Sequence, residues 1–186
     1  MPNKPVHALT GRGIRCLLFD LGDTLWTRGD ASTWERLETT ANLRAVALLR
    51  ACIAPQHLPQ FDDETLGQYL RRSLNWHVRN VIRDTPDIEP DGPLVVIQTL
   101  QQWGIEGIDR AFASEIFEAL RVRIPESRPL FPDTLSTLKV LQQRGFLLGI
   151  VTNRLWGGEP FQQDLQTLGL LNYFEPCHMA ISADLG

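Results

Sequence analysis

Two stretches of the chain are apolar without alternation, and both stop abruptly at polar residues. The first runs through Ile14, Cys16, Leu17, Leu18 and Phe19 and ends at Asp20, with Gly22, Asp23 and Thr24 following at once. The second, Phe146 to Val151, ends in Thr152-Asn153. Unpunctuated apolar runs of this length predict strands buried on both faces of a parallel sheet. We expect them over 15–20 and 146–151, with a third at 177–182, the segment CHMAIS. In open parallel sheets the ligand crevice lies beyond the carboxyl ends of the strands, which is where Asp20, Thr152 and Asn153 fall.

Between these strands the period changes from sheet to helix. Residues 29–126 carry helical patterns and no convincing strand. Ser32 or Thr33 is expected to cap a helix whose apolar face runs through Trp34, Leu37, Ala41, Ala45, Leu48 and Cys52. A second helix, about Asp63 to Ile82, buries Leu66, Leu70, Leu74 and Val78. Two more fit 93–103 and 109–123, the latter through Phe112, Ile116, Leu120 and the nearby Ile124. Past the insert, Pro132 suits a first helical turn, Leu135, Leu138 and Leu141 give a stripe, and Gly145 is a stop. The expected architecture is α/β: a Rossmann-like parallel sheet core, residues 1–28 and 127–186, interrupted by an all-helical cap, residues 29–126. The hinges are expected near Thr27–Asp30 and Glu126–Pro129.

Composition narrows the function classes. The chain has 186 residues, 43% of them hydrophobic, which is enough to bury a substantial core. Its net charge of −4, with 18 basic residues spread without a block, argues against a nucleic-acid surface. No stretch approaches the ~20 apolar residues of a membrane span, and residues 1–13 lack a signal-peptide core, so the cytoplasm is the expected location. Cys16, Cys52 and Cys177 match no zinc spacing and no disulfide framework. Cys16 and Cys177 are expected to be small core residues.

Taken with the segment 129–153, the run LLFDLGDTLW resembles the haloacid dehalogenase (HAD) superfamily, whose members are mostly phosphatases with an aspartate nucleophile. Asp20 and Thr24 match that family's first motif and Thr152 its second. The resemblance implies that Asp20 attacks a phosphoryl group. It also implies that Leu21, Gly22, Asp23, Thr24, Thr152 and Asn153 bind the substrate. Magnesium would be held by Asp20 and the Gly22 carbonyl. The helical insert is similar to a cap of the C1 type, which covers the active site and chooses the substrate, here a small phosphorylated metabolite.

Two departures from the family pattern bear on activity. Gly22 stands where the phosphatases carry a second aspartate for proton transfer, and Asp23, one residue on, is the candidate substitute. The third motif, with its lysine, and the acidic fourth motif are expected after about residue 183, where the sequence closes with Ala183-Asp184-Leu185-Gly186. The only lysines are Lys4 and Lys139. The sequence therefore reads as the first two-thirds of such an enzyme, expected to turn over slowly, to be marginally stable, or to form a homodimer through its final strand.

Rival readings stay open. A haloacid dehalogenase would use Asp20 against carbon, without metal and without the second aspartate. A non-catalytic or degenerate binding domain is the alternative from another class. A phosphonate-cleaving relative would need a cap lysine, and residues 29–125 have none. Trp26 and Arg28 are further candidates for the site wall, whereas His77, Trp34, Trp76 and Trp103 are expected on helix faces.

Overall fold

The computed structural model describes residues 13–185, so residues 1–12 of the expected core segment, Lys4 included, and Gly186 lie outside the described residues. In chain order the elements are β1 (Cys16–Phe19), α1 (Ala31–Cys52), α2 (Asp63–Asp84), α3 (Gly92–Gln102), α4 (Arg110–Ala119), α5 (Ile124–Ser127), α6 (Thr134–Gln143), β2 (Leu147–Thr152), α7 (Gly158–Thr167), β3 (Met179–Ile181) and α8 (Ser182–Leu185). The strands form one parallel sheet in the order β1-β2-β3. Phe19 lies opposite Ile150 and Thr152 opposite Ile181, so β1 and β2 release the chain at the same end of the sheet. The architecture is α/β, with the helices α1 to α6 between β1 and β2.

The third strand is shorter than expected. Pro176 opens a 3₁₀ turn over Pro176–His178, and Ser182 already begins α8. Cys177 consequently sits in that turn and is exposed, and Cys16 is exposed too, so neither is a core residue.

Among the described residues the sheet is packed on one face only. Leu148, Ile150 and Ile181 bury against Leu138 of α6, Phe161 and Leu165 of α7, and Phe174. On the opposite face Leu18 is 66% exposed, Leu147 47% and Val151 49%. The expectation of strands buried on both faces is therefore corrected: among the described residues no helix covers this second face. An apolar run specifies residues able to be buried, and a neighbouring element must supply the burial.

The first four helices, α1 to α4, have their own core. Leu49 of α1, Leu66 and Leu70 of α2, Val96 and Leu100 of α3, and Ile116 and Leu120 at α4 form one buried cluster, separate from that of the sheet. Aspartates stand before α1 to α4, and the side chains of Asp30, Asp62, Asp91 and Asp109 each accept a hydrogen bond from a first-turn backbone amide. Asp30, not Ser32 or Thr33, is thus the first cap, and the buried face of α1 passes through Val46 and Leu49 while Cys52 stays exposed. Leu135 of α6 is likewise exposed, leaving Leu138 as the buried anchor of that helix.

The chain leaves and re-enters the sheet region along two adjacent crossings. Thr27 N donates to Pro129 O at 3.0 Å, and Gly29 N donates to Ser127 O at 3.2 Å. Gly29 is needed here because a β-carbon would stand 2.5 Å from the Ser127 carbonyl oxygen.

Candidate functional site

After β1 the backbone folds into a tight turn around one carbonyl. Leu21 O accepts from the amides of Thr24 at 3.3 Å, Leu25 at 2.9 Å and Trp26 at 3.3 Å, while the Leu21 side chain is wholly buried. Asp23 takes the left-handed conformation, φ +55°, which a short polar residue tolerates. The turn faces a cavity of about 320 Å³ at the carboxyl ends of β1 and β2. Asp20, Gly22, Asp23, Thr152 and Asn153 all line it. Leu21 and Thr24 do not: the first points into the core, and the second is exposed outside the cavity.

Each of these residues has a local reason to be where it is. Thr152 ends β2 and is buried, while Asn153 is exposed just beyond it. The Ser182 hydroxyl donates to Asn153 Oδ1 at 3.0 Å and accepts from the Arg154 amide at 2.8 Å, tying the end of β2 to the end of β3. Asp23 Oδ2 lies 3.6 Å from Arg28 Nε in the first crossing, an exposed ion pair.

Arginines dominate the remaining wall: Arg28, Arg71, Arg121, Arg128 and Arg154 all face the cavity. Arg71 is anchored by Asn42 Oδ1 at 2.5 Å and Leu120 O at 2.6 Å. Arg121 Nη1 donates to Asp164 Oδ2 at 2.6 Å, and Arg123 Nε reaches Asp164 Oδ1 at 3.2 Å. Arg154 packs its guanidinium on Phe161, 4.4 Å from the ring centre, and its buried Nε has no hydrogen-bond partner. Burial pulls the Arg154 guanidinium down to about 10, against the opposing pull of Asp164 and with the repulsion of Arg128 and Arg121. Trp26, Trp34 and Trp156 complete the wall, and Trp156 stacks on Phe117 of α4 at 4.8 Å.

Sequence reasoning found the strand-end residues and Arg28, and it missed Arg71, Arg121, Arg128, Arg154, Asp164 and Ser182. Only Ser182 carried a local signal, as a polar residue closing a strand-like run. The arginines are scattered from α2 to the loop after β2, and only the folding of the insert onto the sheet gathers them.

The cavity offers hard oxygen donors for a metal: the Asp20 and Asp23 carboxylates and the Gly22 carbonyl. A second group of possible ligands, Glu175, Cys177 and His178, has its ligand atoms within 4.8 Å of one another but does not line the cavity. Among the described residues no helix is long and apolar enough to cross a membrane.

No protein-family model matches the chain, and no curated protein matches it. Solved structures do. The HAD-hydrolase YfnB from Bacillus subtilis, in a crystal form bound to magnesium, is 24% identical with a TM-score of 0.46 over 92% of this chain and 64% of its own. A predicted phosphoglycolate phosphatase from Haemophilus somnus is 16% identical, TM-score 0.43, over 91% of this chain and 63% of its own. A dehalogenase is 17% identical, TM-score 0.38, over 92% and 63%. The chain thus spans slightly less than two-thirds of the length of the structures it is similar to. Asp20 and Thr152 close adjacent parallel strands, with a helical insert directly after the first, in an α/β fold built on a parallel sheet.

Proposed function

We propose that the protein hydrolyses a small phosphate ester, with Asp20 as nucleophile. What supports this reading is one cavity holding a strand-end aspartate, the Thr152 hydroxyl and an arginine-rich wall. The Asp20 carboxylate attacks phosphorus, the alcohol leaves, and an acyl phosphate forms that water then hydrolyses, dividing one difficult step into two. The Thr152 hydroxyl and the backbone amides from Leu21 to Asp23 donate to the phosphoryl oxygens. Preorganised donors of this kind stabilise charge where it develops. The arginines give the cavity a positive field that draws an anion in.

The donor set at Asp20 and Gly22 fits magnesium, a hard ion that takes oxygen ligands and keeps several waters. When bound it would neutralise phosphoryl charge. Gly22 supplies no acid–base group, so turnover is expected to be slow unless Asp23 moves the proton from its place beside Arg28. Residues 1–28 and 127–186 serve as the catalytic core in this reading, and 29–126 as a cap that contributes Arg71 and Trp34 to the cavity wall. Two copies pair through the sheet face that bears Leu18 and Val151.

Gly22 favours one second reading, in which Asp20 displaces halide from carbon without metal. The two are separated by assaying phosphate release from p-nitrophenyl phosphate, with magnesium and with chelator, beside halide release from a 2-haloacid. We expect magnesium-dependent phosphate release that Asp20→Asn abolishes. Phosphate release that survives Asp20→Asn overturns the proposal.

A further inference from the structure

We infer that the substrate carries a carboxylate besides its phosphoryl group, and that the guanidiniums of Arg128 and Arg154 bind it. The inference rests on the phosphate-ester reading above and adds the class of ester.

Three of the five cavity arginines already have carboxylate partners. Arg28 pairs with Asp23 at 3.6 Å, Arg71 with Glu38 at 3.7 Å, and Arg121 with Asp164 at 2.6 Å. Among the described residues, Arg128 and Arg154 have none. Both are held by aromatic rings instead. The Arg128 guanidinium carbon lies 4.9 Å from the ring centre of Trp34. That of Arg154 lies 4.4 Å from Phe161 and 5.8 Å from Trp26. Stacking fixes the plane of a guanidinium and leaves its N–H edge free to donate. A fixed fork of N–H groups matches the two oxygens of a planar carboxylate.

The charges around Arg154 point the same way. Its Nε is buried without a hydrogen-bond partner, so the cost of desolvating that group is not offset there. Asp164 attracts its charge, and Arg128 and Arg121 each oppose it by less. An anion held between these guanidiniums removes the repulsion. The surrounding parts come from both bodies: Trp34 from α1, Arg128 from the return crossing, and Arg154 from the loop after β2. A carboxylate bound there joins the helical insert to the sheet while the phosphoryl group occupies the Asp20 end. The volume, about 320 Å³, is at the small end for ligand pockets and suits an ester of a few carbons.

Two probes with the same phosphate and nearly the same skeleton isolate the carboxylate. We would titrate the full chain calorimetrically, with magnesium present, with 3-phosphoglycerate, with glycerol 3-phosphate and with inorganic phosphate. The expected result is binding of 3-phosphoglycerate about tenfold tighter or more than glycerol 3-phosphate, the scale of a charge-assisted hydrogen bond. Arg128→Gln weakens binding of 3-phosphoglycerate far more than that of glycerol 3-phosphate, bringing the two affinities within about twofold of each other. Arg128→Lys, which keeps the charge and loses the fork, recovers only part of it. Unchanged far-ultraviolet circular dichroism of both variants keeps the comparison valid, and the Lys variant serves should the Gln variant not fold. Equal affinity for the two esters overturns the inference and leaves the phosphate-ester reading standing. An equal loss for both esters in Arg128→Gln overturns it too, by assigning that residue to the phosphate. Binding of none of the three probes overturns both.

Discussion

Arg121 Nη1 meets Asp164 Oδ2 at 2.6 Å, joining a residue just past α4 to a carboxylate of α7 that has no exposed surface. The same carboxylate accepts from Arg123 Nε and from the Ile124 amide, both at 3.2 Å. It fastens the insert to α7 through Arg121, which itself lines the cavity.

Removing that carboxylate leaves the largely buried Arg121 with Glu118 as its remaining carboxylate partner and orphans a buried amide. Breaking a buried ion pair from one side costs about 3–5 kcal/mol. We expect Asp164→Ala to lose stability on that scale in urea unfolding, with Asp164→Asn losing less because it still accepts from the amide. A change below about 1 kcal/mol would show that the pair is solvated and replaceable.

The strand-end cluster was legible in the sequence because it is local: an apolar run, a carboxylate, then Gly22 and Asp23. The helical insert was legible because its period extends over long helices, and Leu66, Leu70 and Leu74 fall where that period puts them. The arginine wall was not legible, since Arg71, Arg121, Arg128 and Arg154 meet only through tertiary packing. Nor was the open sheet face. Leu18 and Leu17 look equivalent in sequence, yet only Leu17 has a cluster to pack against.

Gly22 invites a gain-of-function substitution. A β-carbon built there meets nothing within 4 Å, and its φ is not in the left-handed range. Gly22→Asp should fold with stability within about 1 kcal/mol of the parent, as unhindered surface changes do. Placing an acid–base group two residues from Asp20 should raise phosphate release by about 10²-fold, the lower range for general acid–base catalysis. The contrasting substitution is Gly29→Ala, whose β-carbon would press on Ser127 O at 2.5 Å and lower the melting temperature. Steady-state assays and thermal melts on both variants check the pair of expectations.

The helix caps set an acid limit on stability. Hydrogen bonds from the Ser32 and Thr33 hydroxyls and the Thr33 amide hold the Asp30 carboxyl well below its ordinary value of 3.8. The Thr65 amide and hydroxyl do the same for Asp62, also from 3.8. A carboxyl depressed in the folded state contributes stability that is present above its unfolded value and lost as pH falls through the folded one. Melting temperature should therefore drop as pH is lowered from 3.8, and Asp30→Asn with Asp62→Asn should flatten that drop. Asn keeps the cap acceptor without the titration. An identical slope in the double variant would contradict the assignment.

The uncovered sheet face predicts self-association. Leu18, Leu147 and Val151 form an exposed apolar strip across β1 and β2. Exposed apolar patches mark interaction surfaces. Sedimentation velocity should show concentration-dependent association, and Leu18→Lys with Val151→Lys should shift the protein towards monomer without lowering its melting temperature. No change in the sedimentation profile would remove this face as the contact.

The central claim is that Asp20 becomes covalently phosphorylated, and intact-protein mass spectrometry after rapid acid quench tests it most directly. With p-nitrophenyl phosphate and magnesium, the account predicts a species heavier by one phosphoryl group, acid-stable and base-labile, that maps to the peptide containing Asp20 and is missing from Asp20→Asn. A phosphoryl group found on another residue, or an adduct that persists in Asp20→Asn, would contradict it.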